Sequence, residues 1–381
     1  MEMARLARIP KRLAQLVAEG NIPGAVSLVA RHGRILELDA VGSQDIEAKK
    51  PMATGSLFQI MSMTKPFTGV AAMMLVEDGK LELRRPVEDY LPEFKGQLVE
   101  EKRADGSTDT HAPAHPPTVW ELMCHTSGLA GDPDGALEDN PRTMRVPLAE
   151  AVRFYAQQRL HFEPGSKWSY SNMGIATLGR IVEVVSGDHY VHFVESRILR
   201  PLGMNDTFFH VPEDKRARLA MVYKHENGKL VPSGADILAG DPAKFREGAK
   251  YPAPEFGLYS TAPDLFRFYQ MLLDGGVYGG HRFLSHASLD VMTRVHTPDV
   301  KPSGWLGGTG YGLTFEIVDS PEGMLLLHPM GTFGHGGAFG TEGWMDPVHN
   351  VVRILMVQVS DGTAGPARAA VMQMGEAAVL K

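Results

Sequence analysis

The chain has 381 residues, 43% of them hydrophobic and 22% charged, and a net charge of −7, a composition that supports a large core in two domains or one big one. The negative balance and the lack of any basic run argue against nucleic-acid binding, and the longest apolar runs, such as 69–76 and 351–359, are too short to span a bilayer. The single cysteine, Cys124, excludes an internal disulfide and thiolate metal sites.

Leu6, Ile9, Leu13, Leu16 and Val17 recur at helical spacing and predict an N-terminal helix ending at Gly20. The start, Met1-Glu2-Met3-Ala4-Arg5, lacks the apolar core of a signal peptide. A cytoplasmic protein is expected, or a periplasmic or secreted one if the N-terminus is a trimmed mature form. Residues 25–30 and 35–41 read as a hairpin turning at His32-Gly33. Ser62-Met63-Thr64-Lys65 then opens a helix that stops at Asp78-Gly79, where glycine suits a left-handed cap. Phe67, Val70, Ala71 and Met74 give it the pattern of a buried helix, and Pro66 falls in its first turn, where a missing N–H costs least. Ser62 and Lys65, three residues apart, share one helix face within about 6 Å. These are the parts of an activated nucleophile.

Residues 100–117, polar and rich in proline and charge, read as a long surface loop. Its His111 and His115 are four apart, but the intervening prolines oppose a helical metal site. Thr118 to Glu121 has the form of a capping box opening a short helix closed by Ser127-Gly128, with Cys124 as small core filler. Leu148, Val152 and Tyr155 mark another helix. Ile175, Leu178, Val182 and Val185 mark one more, stopped by Gly187. Asn227-Gly228 signals a tight hairpin, and Thr261 starts a helix ending at Gly275-Gly276. Beyond it, residues 311–318, 324–327, 343–345 and 351–359 read as strands, followed by a final helix over 366–380. Gly307-Gly308-Thr309-Gly310 reads as a lead-in to a strand, since it lacks the lysine of a phosphate loop.

Strands at both ends around a helical middle predict an α/β plus all-α chain: an antiparallel β-sheet flanked by helices, with a helical insertion. The expected division is a discontinuous sheet domain, 1–79 and 255–381, and a mostly helical domain, 80–254.

Two further stretches bear on Ser62. Tyr170-Ser171-Asn172 lies at a helix start, where the tyrosine could reach a nucleophile and the asparagine could donate to a substrate carbonyl. His335-Gly336-Gly337-Ala338 lies in a strand pattern, where glycines let a ligand or backbone approach closely. With S-x-x-K at 62–65, Y-x-N at 170–172 and a K-T-G-like triplet at 335–337, the chain resembles the serine β-lactamase and penicillin-binding-protein superfamily. It looks closest to the class C-like branch that includes the family VIII carboxylesterases. Residues 125–129 (His-Thr-Ser-Gly-Leu) and 257–261 (Gly-Leu-Tyr-Ser-Thr) look like framework segments of the same group. The match runs from about residue 15 to 360.

The resemblance implies a β-lactamase/transpeptidase-like fold and an acyl-enzyme formed on Ser62, with no cofactor and no metal. Lys65 would be hydrogen-bonded to Ser62 Oγ. Tyr170 would pass a proton to the leaving alcohol and activate water, although lysine and tyrosine both titrate far above neutral pH, and which of them is the base stays open. The oxyanion would rest on the N–H groups of Ser62 and Ala338, with Asn172, His335, Gly336 and Gly337 as substrate-binding residues. Two departures from the penicillin-recognising members bear on substrate: His335 stands where they carry lysine, and glycine where they carry threonine. A neutral histidine contributes little charge toward a carboxylate, so the expected substrates are small uncharged esters of short to medium acyl chains. A β-lactamase, a D-amino-acid peptidase or amidase using the same residues, and a non-catalytic penicillin-fold binder are the alternatives. No G-x-S-x-G elbow and no H-E-x-x-H occur, which argues against α/β-hydrolase and zinc routes.

Overall fold

The structure is a computed structural model that describes residues 1–102, 106–132, 146–233, 249–297, 299–300 and 302–380. In chain order, helix α1 (Ile9–Ala18) leads to strands β1 (Gly24–Arg31), β2 (Arg34–Asp45) and β3 (Lys50–Pro51). Helix α2 (Lys65–Glu77) follows a 3-10 turn, Met61–Thr64. A hairpin, β4 (Val99–Lys102) with β5 (Thr108–His111), precedes helices α3 (Val119–Met123), α4 (Leu148–Ala156) and α5 (Asn172–Ser186). A second hairpin, β6 (Tyr223–Glu226) with β7 (Lys229–Pro232), is followed by helix α6 (Ala262–Leu273). Strands β8 (Thr309–Tyr311), β9 (Glu316–Val318), β10 (Phe333–Gly336), β11 (Glu342–Asp346) and β12 (Val351–Met356) come next, and helix α7 (Gly365–Ala377) ends the fold.

Eight strands form one antiparallel sheet in the order β8-β9-β10-β11-β12-β1-β2-β3. Its centre is covered on both faces, so β12 is buried throughout and β1 at all but its last residue. Successive side chains of a strand point to opposite faces. Val26, Leu28 and Ala30 accordingly pack into a core with Phe67 and Val70 of α2 and Phe268 of α6. Ala25 and Val29 pack with Leu13 and Leu16 of α1 and Val371 of α7. The rings of Phe67 and Phe268 stack 3.8 Å apart between centroids, which ties α2 to α6. From Lys65 to Leu75 every residue of α2 is buried, as an all-round apolar helix requires.

Local signals carried through wherever one short motif decides the geometry. Thr118 and Glu121 close a reciprocal capping box on α3, Gly187 takes the left-handed conformation after α5, and Asn227-Gly228 turns the second hairpin with both residues at positive φ. Four expectations need correction. The polar stretch 100–117 carries strands: Val99 and Glu100 pair with His111 and Thr110, while residues 103–105 of it lie outside the described residues. Both faces of most of that hairpin are polar, which hides the alternation that betrays a strand. Residues 311–318 are not one strand: Tyr311 ends β8 and Glu316–Val318 form β9, which pairs back on β8 because the chain reverses at 312–315, where Thr314 has φ 66°. Residues 324–327 are no strand: a 3-10 turn covers Gly323–Leu325, and Leu326 and Leu327 lie exposed. Finally, Ser62 sits in the 3-10 turn before α2 rather than in the helix, with Met61 at φ 50° just ahead of it. No helix among the described residues is long and apolar enough to cross a membrane.

Candidate active site

The turn that carries Ser62 is fastened from three sides. The Ile60 N–H donates to the Leu258 carbonyl, the Leu258 N–H to Thr64 Oγ1, and the Gln358 amide to the Gln59 carbonyl. Past the end of β10, the Gly337 N–H donates to the Thr341 carbonyl, and the Thr341 hydroxyl reaches the Ile60 carbonyl at 3.3 Å. A Cβ at Gly337 would come within 2.5 Å of that same carbonyl oxygen. Only glycine permits the β10 edge to lie this close to the serine turn.

Tyr170 is held at the entry to α5. Ser171 caps that helix, its hydroxyl accepting from the Gly174 N–H and donating to the Ala130 carbonyl. The Ser171 N–H donates to His125 Nδ1, and the Asn172 N–H to the Gly131 carbonyl. The Ser169 N–H donates to the His125 carbonyl, so Tyr170 leaves the backbone between two anchored residues, Ser169 and Ser171, its ring against the His125 ring at 4.5 Å.

These elements meet at a cavity of about 570 Å³ lined by Ser62, Tyr170, Asn172, His335, Gly336, Gly337 and Ala338. All the residues expected at the site except Lys65 line it, and Lys65 lies fully buried just behind Ser62. Lys65 Nζ is 3.2 Å from Ser62 Oγ, 2.8 Å from Asn172 Oδ1 and 2.9 Å from the Glu255 carbonyl oxygen. It also lies 4.6 Å from the centre of the Tyr170 ring. Burial lowers its pKa to about 7, against the pull of the Glu255 and Asp132 carboxylates. Burial pushes the Tyr170 phenol well above its usual range, although a hydrogen bond with Ser62 opposes the shift. Ala338 is exposed, and its N–H donates to no backbone carbonyl among the described residues.

Asn172 lines the cavity and has partners inside the protein as well. Its oxygen accepts from Lys65 and its NH2 donates to Asp132 Oδ1 at 3.2 Å, so the amide is engaged in holding the lysine. His335 is neutral, its pKa lowered to about 3 by burial and by the Lys65 charge. Its Nδ1 lies 2.7 Å from the Gly336 carbonyl, and its Nε2 lies 3.4 Å from the Tyr170 hydroxyl.

Several neighbours carry no sequence signal of their own. Glu255, buried and pushed up in pKa by burial, accepts from Lys65 at its backbone oxygen and from the Tyr251 hydroxyl at its carboxyl. Glu316 and Glu342 bring two more buried carboxyls to the cavity wall, Asp132 and Asp361 add exposed ones, and Trp305 stands 5.3 Å from the Tyr170 ring. Arg368 of α7 pairs with Glu342 at 3.0 Å and donates to the Gly337 and Gly340 carbonyls. The His-Thr-Ser-Gly-Leu segment at 125–129 signalled the neighbourhood of His125 without a role for it.

The disfavoured sites stay apart from this cavity. Cys124 is buried and burial pushes its thiol up to about 12, far from a reactive thiolate. His111 pairs with Glu163 and His115 with Glu121. Asp346, His349 and Glu376 bring ligand atoms together on the α1/α7 side of the sheet, but the Arg353 guanidinium pairs with both carboxylates there.

The family model described as beta-lactamase matches residues 9–375. The chain belongs to this family. Among its relatives, esterase EstB of Burkholderia gladioli is 31% identical over 385 residues, covering 94% of this chain and 92% of that one. Protein Rv1367c of Mycobacterium tuberculosis is 33% identical over 366 residues, covering 92% and 90%. The solved structure of EstCE1, described as a hydrolase with promiscuous acyltransferase activity, superposes with a TM-score of 0.80 at 26% identity, covering 97% of this chain and 98% of that one. A penicillin-binding-protein homologue from Caulobacter crescentus matches with a TM-score of 0.74 at 21% identity, covering 98% of each, a likeness of fold alone. The family membership makes the chain a hydrolase of the beta-lactamase fold.

Proposed function

We propose that the protein is a serine carboxylesterase that cleaves short- to medium-chain esters through an acyl-enzyme on Ser62. The observation that carries this reading is the set of partners around Lys65. A neutral amine has two N–H bonds and one lone pair. The Asn172 oxygen and the Glu255 carbonyl are both obligate acceptors, and the Asn172 orientation is fixed by its contact with Asp132. They take the two N–H bonds and leave the lone pair facing Ser62 Oγ. A pKa near 7 keeps a large fraction of the amine neutral at physiological pH, where a general base works best.

In acylation, Ser62 Oγ attacks the ester carbonyl and its proton passes to Lys65. The oxyanion rests on the N–H groups of Ser62 and Ala338, worth about 3 kcal/mol for a donor of this kind. Tyr170, still protonated, gives its proton to the departing alkoxide. The ammonium–phenolate pair that results is suited to the second half. Water gives a proton to the Tyr170 oxygen as it attacks the acyl carbon, and Lys65 returns a proton to Ser62 Oγ as that bond breaks.

Substrate charge follows from the walls. Among the described lining residues, the carboxyls of Asp132, Glu316, Glu342 and Asp361 face the cavity with one cation, Arg368, which is tied to Glu342. With His335 neutral, this lining favours uncharged esters over the carboxylate-bearing β-lactams and peptides. EstB and EstCE1, named as an esterase and a hydrolase, support the same reading.

A nitrophenyl ester compared with a chromogenic cephalosporin tests the substrate class: the ester is expected to turn over far faster, and equal or better cephalosporin hydrolysis refutes the assignment. Treatment with a fluorophosphonate should add one adduct by intact mass. Ser62→Ala should lose that adduct, and its ester turnover should fall by about 10⁴-fold or more. An adduct that persists in Ser62→Ala moves the nucleophile elsewhere.

A further inference from the structure

Two buried groups behind the cavity have no part in the steps above: Tyr311 of β8 and His125, which follows α3. Both are fully buried. His125 Nε2 lies 3.1 Å from the Tyr311 hydroxyl, and the Tyr311 hydroxyl lies 3.1 Å from His335 Nε2. Backbone groups fix the direction of every proton in this row. The Ser171 N–H donates to His125 Nδ1, so a neutral His125 carries its hydrogen on Nε2 and donates it to the Tyr311 oxygen. At the other end, His335 Nδ1 faces the Gly336 carbonyl at 2.7 Å. That atom must hold the hydrogen, because two lone pairs cannot approach so closely. His335 Nε2 is then an acceptor with a single lone pair, and two hydroxyls compete for it: Tyr311 at 3.1 Å and Tyr170 at 3.4 Å. Since Tyr311 already accepts from His125, its own hydrogen is directed to His335.

We infer that Tyr311, oriented by His125, is a positioning residue for Tyr170: it fills the one acceptor site of His335 and so leaves the Tyr170 hydroxyl free for Ser62 and the leaving alcohol. The inference rests on the esterase reading for its kinetic consequence and on hydrogen-bond geometry alone for its structural one. Both histidines are kept neutral by burial and by the nearby Lys65 charge, and a neutral imidazole is what the row requires. Without the Tyr311 hydroxyl, His335 Nε2 becomes the best acceptor near Tyr170, and the phenol turns away from the reacting atoms.

The experiment has a part that needs no activity. Nitrogen-15 NMR of the wild-type protein should show His335 as the Nδ1–H tautomer and His125 as the Nε2–H tautomer. The opposite tautomer at either residue, or a charged imidazolium at neutral pH, overturns the inference. In kinetics, Tyr311→Phe should lower kcat by about 10- to 100-fold with KM within about twofold, as expected when a reacting group is misplaced rather than substrate binding lost. A loss confined to KM, or wild-type kcat, overturns it. In a His335→Ala background, which removes the competing acceptor, Tyr311→Phe should cost less than about twofold more. A full, multiplicative loss there assigns Tyr311 a structural role and refutes positioning through His335. If the wild type forms no fluorophosphonate adduct and turns over no ester, the esterase reading fails, and the tautomers still decide the hydrogen-bond row.

Discussion

Two buried cations lie on opposite sides of the sheet, and their surroundings differ. Arg353 on β12 is fully buried beside the carboxylates of Asp346 and Glu376, with His349 bonded to Asp346 at 2.6 Å. Burial lowers its pKa only to about 10, with Asp346 opposing the shift, and it keeps its charge. Lys65 is buried as deeply, but its hydrogen-bond partners are a hydroxyl, an amide oxygen and a backbone carbonyl. Dipoles compensate less of the desolvation than carboxylates do, so Lys65 approaches neutrality near pH 7. Depth is common to both. The higher intrinsic pKa of a guanidinium and its carboxylate partners together keep Arg353 charged, while an amine held by dipoles comes within reach of neutrality.

The largest effects should come from deleting each cation. Lys65→Met is expected to lower ester turnover by about 10³-fold or more while leaving the thermal midpoint unchanged or raised, since an apolar chain of similar shape replaces a costly amine. Arg353→Met should do the reverse: about 3–5 kcal/mol lost in urea unfolding, from two carboxylates left without their cation, and unchanged kcat per folded molecule. Crossed results would dissolve the contrast.

A subtler change would make one site resemble the other. Asn172→Asp places a carboxylate against Lys65 and should raise its pKa by about one to three units. Activity of the wild type rises with pH as Lys65 loses its proton, so its acid limb should sit near 7. In the variant the limb should move to alkaline pH, with turnover at pH 7 down by about 10- to 100-fold and partly restored near pH 9. A limb that stays near 7 removes Lys65 as the titrating base.

The smallest effect tests burial without a cation. Glu37 is buried with the Ser27 hydroxyl donating to it at 2.6 Å, and burial raises its pKa from 4.5 to about 7. The folded state holds this proton where the unfolded state has released it, so stability falls as pH rises from about 4.5 to 7 and the full cost persists above that. Glu37→Gln should therefore stabilise the protein by about 1–2 kcal/mol at pH 8 and by nothing measurable at pH 4. Denaturant titrations at the two values check the sign.

Legibility in the sequence followed distance along the chain. Ser62 and Lys65 are neighbours three residues apart, the capping box spans four residues, and the Asn227-Gly228 turn is local; spacing marks each as a local feature, and the Ser62–Lys65 pair gains its chemical meaning only beside the two later motifs. Tyr170 and His335 lie more than a hundred residues from Ser62 and became candidates together through the family resemblance. Glu255, Tyr311 and His125 act through tertiary contact, and neither the backbone oxygen of Glu255 nor the proton direction in Tyr311 has a residue pattern. The β4–β5 hairpin was missed because its polar faces leave no hydrophobic alternation, and the 324–327 stretch misled because two of its leucines are exposed.

Gly336 has a bearing on how such a chain changes its substrate over evolutionary time. A Cβ there would meet the Glu342 carboxyl at 2.6 Å, and that carboxyl is clamped by the Arg368 guanidinium and the Trp344 indole. The space under the triplet is thus already spoken for. Grafting lysine and threonine into 335 and 336 would drive a side chain into a locked ion pair rather than recreate a penicillin-recognising wall. Gly336, Glu342, Trp344 and Arg368 are thus coupled by contact, and a side chain at 336 requires the Glu342 carboxyl to move out of its ion pair with Arg368 and its bond to the Trp344 indole.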